Sequence, residues 1–429
     1  METALRNLAT NAGFSDTMRL TLRMETKLVE DNRELFEEKQ AGEWTFRLLI
    51  DDQGAAGIRC CKDGKLLKSI PAKAKKDPYV LRLQDMKKQL TEQYRRTRRM
   101  FEQAMEDGAE FTLEEMGQLW QNPVVSPIVS RLVFKSADYL GFFDGTNLMG
   151  LTGEIPETDV GAMLEVAHPL HLLRSGSWHS FQKYLYDNQI LQPFRQVFRE
   201  LYVKTREELG CDHSLRYAGN QIQPKKAAAC LKERRWVADI EAGLQKVYYK
   251  ENIVATIYAL ADWFTPADIE APTLEQVAFY DRKTGQPMKI EDIPEVIFSE
   301  VMRDVDMAVS VAHAGGVDPE ASHSTVEMRG AILSFVLPLL RLENVRVEGG
   351  HAFIDGTHAS YSVHLGSGTV HQIGGTMLNV LPVHSQHRGR IFLPFVDDDP
   401  KTAEIISKVI LFAEDHKLKD MGILSQITR

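Results

Sequence analysis

Apolar residues return every three or four positions at Leu83, Met86, Leu90, Tyr94, Phe101 and Met105, which predicts one long helix with a single buried stripe. An earlier helix starts near Ser15 and Asp16, side chains able to cap it, and runs through Met24 and Leu28. Between the two, residues 43–50 and 55–70 read as strands, and Asp63-Gly64 is a hairpin signal. Pro71 and Pro78 bracket a basic loop. Thr112 and Glu115 form a capping-box pattern that opens the next helix.

Further on, residues 141–153 are rich in turn residues and mark a boundary. Residues 162–167 read as a short strand leading into His168-Pro169-Leu170-His171, and helices are expected at 178–186 and 193–202. Strand-like residues fill 247–260 and 276–280. Two substantial helices, 294–311 and 319–337, are joined by a segment holding His313, Gly315 and Gly316. The pattern then turns to β at 345–354, 359–364 and 369–372, with glycines between. Asp399 and Pro400 introduce a closing helix over 401–414.

These elements predict an α+β chain of several domains, with mixed sheets and packed helices. A basic N-terminal α+β domain is expected over 1–150, and a central mixed α/β domain with a candidate polar site over 151–342. A β-rich C-terminal domain closed by a helix is expected over 343–429. A length of 429 residues suits two or three cores rather than one. No apolar run approaches the roughly 20 residues of a membrane span, and the first residues show neither a basic nor an apolar leader segment. A cytoplasmic protein with no membrane partner is therefore expected. Four cysteines without C-x-x-C spacing point to reduced thiols, not a disulfide framework or a cysteine zinc site.

Charge changes the picture more than composition does. The net charge is −9, yet residues 59–99 hold fourteen Lys/Arg against four Asp/Glu, a local +10 that leaves −19 elsewhere. Lys73, Lys75, Lys76, Lys87, Lys88, Arg95, Arg96, Arg98 and Arg99 are the candidate anion-binding residues, for a nucleic acid or another polyanion. Tyr79 and Tyr94 fall on or near the apolar stripe, so the pattern does not suggest base stacking. A solvated helix face, or docking onto the acidic remainder of the chain, accounts for the same charges.

A second constellation lies on the paired helices. Glu300 and Asp304 share one helical face, and His323 and Glu327 share another. With His313 and Arg303 or Arg329, an antiparallel packing would gather carboxylates and imidazoles of the kind that ligate Zn, Mn or Fe and activate water. The alternative is a buried, fully paired network that fixes the helices. Histidines at 351, 358, 364, 371, 384 and 387 are scattered over strands and turns and suit local hydrogen bonds better than a metal. Gly366-Ser367-Gly368 lacks the third glycine and the helix of a dinucleotide loop and reads as a hairpin turn. No cofactor or metal identity follows from these residues.

Several longer phrases are familiar: residues 68–71, 168–171, 192–202, 278–287, 293–329, 362–368, 383–388 and 393–414. Through them the chain resembles the MolR-like bacterial proteins, whose shared region is a domain of unknown function, number 4132. The resemblance implies that most of the chain is this region. In larger relatives it lies at the C-terminus, after helical repeats. The family label implies a regulator of molybdate metabolism, and it supplies no catalytic residues. The expected function is a binding or regulatory module of a cytoplasmic bacterial protein that contacts an anionic partner, with a protein partner also compatible. The competing readings are a metal-assisted hydrolase or transferase acting on phosphate esters, centred on Glu300 and its neighbours, and an assembly scaffold.

Overall fold

The computed structural model describes residues 14–51, 53–156, 162–239, 243–266, 271–312, 314, 322–380, 392–396 and 399–427. Its contacts divide the chain into two compact units, Met1–Tyr184 with Ile190–Val197, and Leu185–Gln189 with Phe198–Arg429. The class is α+β, built on four sheets whose pairings among the described residues are all antiparallel.

In the first unit, helix α1 (Phe14–Glu30) is followed by β1 (Lys39–Ala41), β2 (Trp44–Ile50), β3 (Ala56–Lys62) and β4 (Lys65–Leu66), paired in that order. The hairpin between β3 and β4 turns on Asp63 and Gly64, both at positive φ (49° and 74°). This is the geometry that favours Asp-Gly in a two-residue turn. Helix α2 (Pro78–Glu106) runs for 29 residues. Asp77 caps it by accepting from the Tyr79 and Val80 amides, and Pro78 occupies the first turn, where no donor is missed. Its stripe buries Val80, Leu83, Met86 and Leu90 in a core shared with Phe46, Leu48 and Cys60. Further along, Phe101 and Met105 enter a second core.

That second core belongs to the five-stranded sheet β5-β9-β6-β7-β8, made by β5 (Glu110–Thr112), β6 (Val133–Ser136), β7 (Tyr139–Phe143), β8 (Leu148–Met149) and β9 (Met163–Val166). Helices α3 (Leu113–Trp120) and α4 (Ser126–Val129) lie between β5 and β6, and the Thr112–Glu115 capping box starts α3. Strand β9 pairs with both β5 and β6, so the chain beyond the turns at 141–153 returns to this sheet. Helices α5 (Pro169–Arg174) and α6 (Trp178–Asp187) follow.

Residues 193–202, expected to be helical, form no helix. Two buried glutamines take over the backbone's hydrogen bonds there. Gln196 accepts from the Val133 amide and donates to the Val133 and Ala167 carbonyls, at 2.9, 2.7 and 2.8 Å. Gln192 accepts from the Val197 amide and donates to Gln196. Side chains that satisfy the backbone this way compete directly with an i→i−4 ladder.

The second unit holds two sheets. The first, ordered β10-β14-β13-β12-β11, comprises β10 (His213–Ser214), β11 (Val237–Ala238), β12 (Gly243–Tyr248), β13 (Ile253–Ala259) and β14 (Leu274–Asp281), with helix α7 (Pro224–Lys232) between β10 and β11. The strand-like residues of 247–260 fall in two strands, separated by a turn that ends at Asn252 with φ 61°. Helix α8 (Glu295–Ala312) shares the core of this sheet: Ile297, Phe298, Val301, Met302 and Val305 pack with Trp236, Tyr248 and Phe279.

Helix α9 (His323–Leu340) leads to the second sheet, the meander β15 (Val345–Glu348), β16 (His351–Asp355), β17 (Ser360–His364), β18 (Val370–Gln372) and β19 (Met377–Leu378). Alternation puts Ala352, Ile354, Tyr361 and Val363 inside, covered by helix α10 (Pro400–Ala413), where Phe412 meets Tyr361 at 4.6 Å between ring centres. A short helix, α11 (Met421–Leu424), ends the described chain. No helix among the described residues is long and apolar enough to cross a membrane.

Candidate functional site

The basic residues lie where the helix period puts them. At 100° per residue, Lys87, Arg98, Arg95, Lys88 and Arg99 occupy an arc of about 120° on α2, roughly opposite the buried stripe. Lys87, Lys88, Arg95, Arg96 and Arg99 are exposed and Arg98 is half-buried. Lys73, Lys75 and Lys76, on the turn just before α2, are exposed as well. Arg96 turns inward to the buried Glu25, with its Nε 2.8 Å from Oε1. Burial pushes the Glu25 carboxyl above its ordinary range, more strongly than Arg96 and Thr97 pull it down. Arg96 is thus a packing partner of α1. Arg95 has only an exposed pair with Glu92 at 2.9 Å, a contact of about 0–1 kcal/mol. Among the described residues no carboxylate lies in ion-pair range of Lys73, Lys75, Lys76, Lys87, Lys88 or Arg99. That leaves an array of solvated cations without internal counter-charge.

The charges of α8 have the opposite character. Glu300 is fully buried and held by both arms of Arg199, with Nε to Oε1 at 2.7 Å and Nη2 to Oε2 at 2.6 Å. Both side chains are 0% exposed. Asp304, also buried, accepts on Oδ2 from the Lys246 ammonium at 2.8 Å and the Trp236 indole at 2.9 Å. Its Oδ1 lies 3.2 Å from Arg234 Nε, off the hydrogen-bond direction, so that contact is electrostatic only. Arg303 reaches Glu200 at 3.0 Å. One turn on, Asp306 accepts from the Tyr202 hydroxyl at 2.6 Å. Burial raises the Asp306 carboxyl above its usual range, against the hydrogen bonds from Tyr202 and Ser322.

Glu300, Asp304 and Asp306 thus face three sets of partners, drawn from 199–202 and from the strands and loop around β12. Arg199, Glu200, Tyr202, Arg234, Trp236 and Lys246 were not among the sequence candidates. Lys246 carried a signal, since it alternates with apolar residues on a strand where a lysine has no solvent to reach. Arg199 and Glu200 gave a weaker one, two charges amid Phe194, Val197, Phe198, Leu201 and Tyr202.

His323 and Glu327 pair only with each other, at 3.4 Å, with side chains 86% and 65% exposed. They are in solvent, while Glu300 and Asp304 are buried on other partners. Arg329 turns to the Leu365 and Gly366 carbonyls and the Thr402 hydroxyl, joining α9 to the C-terminal sheet and α10. His313, His384 and His387 lie outside the described residues. His351 and His364 are cross-strand partners with rings 4.9 Å apart, His371 lies on β18, and the His358 amide binds Asp415. Among the described residues no three His, Cys, Asp or Glu side chains are grouped to hold a metal ion. His168 caps α5 by accepting from the Leu170 amide, and His171 accepts from the His168 amide. Burial brings the His171 imidazole down to about 4, so it is neutral near pH 7.

Residues 64–236 match the family model of a domain of unknown function, DUF4132. Residues 326–427 match that of a second one, DUF7737. The first match takes in the phrases at 68–71, 168–171 and 192–202 and every basic candidate from Lys73 to Arg99. It lies toward the beginning of the chain, not over its C-terminal region, which corrects the extent expected from the sequence. The phrases at 362–368, 383–388 and 393–414 fall within the second domain. No curated protein and no solved structure matches the chain.

Proposed function

We propose that this chain is a non-enzymatic binding or regulatory module of a cytoplasmic bacterial protein, which holds an anionic partner on the exposed basic face of α2. The observation that carries this reading is the set of exposed cations Lys87, Lys88 and Arg99, with Lys73, Lys75 and Lys76 before them, none of which has a carboxylate partner among the described residues. Cations that serve the fold are paired here, as Arg96 and Arg199 are, and cations left in water on one face are free to release counterions to a polyanion. The resemblance to MolR-like regulators supports the same reading, and the DUF4132 match spans this whole face. Glu300, Asp304 and Asp306 of α8 favour a framework role, because each is buried against a cation or a hydroxyl.

The test is fluorescence anisotropy of labelled heparin titrated with the full chain across a salt series. Binding that weakens steeply as salt rises is the expected result. No binding at low ionic strength would overturn the proposal.

A further inference from the structure

We infer that the anionic partner is a nucleic-acid duplex, gripped through its phosphate backbone without reading of base sequence; this rests on the polyanion reading of α2. Lys87, Lys88, Arg95 and Arg99 lie on one arc of α2. The twelve steps from Lys87 to Arg99 span about 18 Å at 1.5 Å per residue. A duplex presents one phosphate per roughly 1.7 Å of axis, so a stiff row of cations this long meets a matching row of charges without the duplex having to bend. Lys73, Lys75 and Lys76 add three exposed cations on the turn that precedes α2.

Two features argue against other polyanions. Single strands are held by stacking bases on exposed rings. No Phe, Tyr or Trp of the first unit is exposed among the described residues, and Tyr79 and Tyr94 pack against the buried cores. An anionic bilayer would call for an apolar face beside the cations. The apolar face of α2 is spent on the core, and Leu81 is its one exposed large apolar side chain. What remains is phosphate recognition by point charges and guanidinium forks on a rigid support, the mode that positions a protein on a duplex and carries no sequence information.

The experiment compares labelled duplexes of about 20 base pairs, DNA and RNA, each in two unrelated sequences, with the matching single strands and with heparin, over 50–200 mM salt. Four phosphate contacts predict a log–log salt slope of about −3.6 on duplex DNA, a loss of about 150-fold in affinity over that range. The two sequences are expected to bind within a factor of about three, and single strands at least tenfold more weakly. The combined variant Lys87→Ala, Lys88→Ala, Arg95→Ala and Arg99→Ala should lose most of the slope. Lys87→Arg with Lys88→Arg keeps the charge and should keep the binding, which separates lost contacts from a lost fold. Heparin binding with equal affinity for duplex and single strand would overturn the duplex assignment and leave the polyanion reading standing. No binding to any of the probes would overturn both.

Discussion

Replacing Glu300 by Gln removes the carboxylate that both arms of the buried Arg199 guanidinium hold, which makes it the sharpest perturbation of the second unit. In the native chain the two arms of Arg199 meet both carboxylate oxygens at 2.6–2.7 Å, with neither side chain exposed. Removing one member of such a pair costs about 3–5 kcal/mol, because the remaining ion keeps its desolvation penalty and loses that pairing. At 1.4 kcal/mol per tenfold, that accelerates exchange of the α8 amides by about 100- to 4,000-fold wherever exchange follows the opening of this unit. Hydrogen exchange read by mass spectrometry resolves α8 from α2, which a single unfolding curve of a two-unit chain does not. The double variant Arg199→Met, Glu300→Leu removes both charges and should return α8 to within about 1 kcal/mol of the native protection. Native exchange rates on α8 in the Glu300→Gln variant would refute the reasoning and return Glu300 to the list of side chains available for chemistry.

Three further outcomes follow from the same structure. Gln93 is fully buried on α2 and neither amide atom has a partner among the described residues, so Gln93→Met should stabilise the first unit by about 1–3 kcal/mol in urea unfolding. Lower stability instead would mean that an internal partner satisfies the amide. Asp415, buried, accepts from the Thr357 and His358 amides at 2.7 Å and from Tyr361 at 3.0 Å. Burial alone would raise its carboxyl, but these donors outweigh it and hold the group below its ordinary value. Its contribution is therefore complete above the unfolded pKa near 4 and is lost as pH falls through the lower folded value. Asp415→Ala should cost about 1–3 kcal/mol at pH 7 and much less near pH 2, compared by urea titration. Asp306 has the opposite sign: its raised carboxyl favours the fold when protonated, and that benefit is lost as pH rises through the folded pKa. Asp306→Asn should accordingly flatten the pH dependence of stability as pH rises above about 4, and an unchanged profile would contradict it.

The parts of the fold that were legible in the sequence are those with a local cause. The apolar stripe marks α2, Asp63-Gly64 turns a hairpin, the Thr112–Glu115 box caps α3, and the C-terminal β stretches hold β15–β18, with 345–354 split into two strands at Gly349-Gly350. Each was readable because neighbouring residues decide it. The segment at 193–202 was misread for the converse reason. Its apolar spacing suits a helix, but Gln192 and Gln196 bind backbone groups as remote as Val133, 63 residues from Gln196. The same applies to the α8 cluster, where the helical face of Glu300 and Asp304 was plain and their partners were not. Arg199 lies 101 residues from Glu300, and Lys246 lies 58 from Asp304, distances over which periodicity carries no information. On α2 the charge and the face were both readable. Which cations stay solvated depended on where α1 places Glu25.

The most direct test of the central claim is to locate the bound polyanion on the chain. Lysine acetylation rates, read by mass spectrometry with and without saturating duplex, report each ammonium separately. The account predicts slowed acetylation at Lys87 and Lys88, with smaller protection at Lys73, Lys75 and Lys76, and no change at the exposed Lys283 of the other unit. Equal protection everywhere, or protection that leaves Lys87 and Lys88 as reactive as in the free protein, would contradict it.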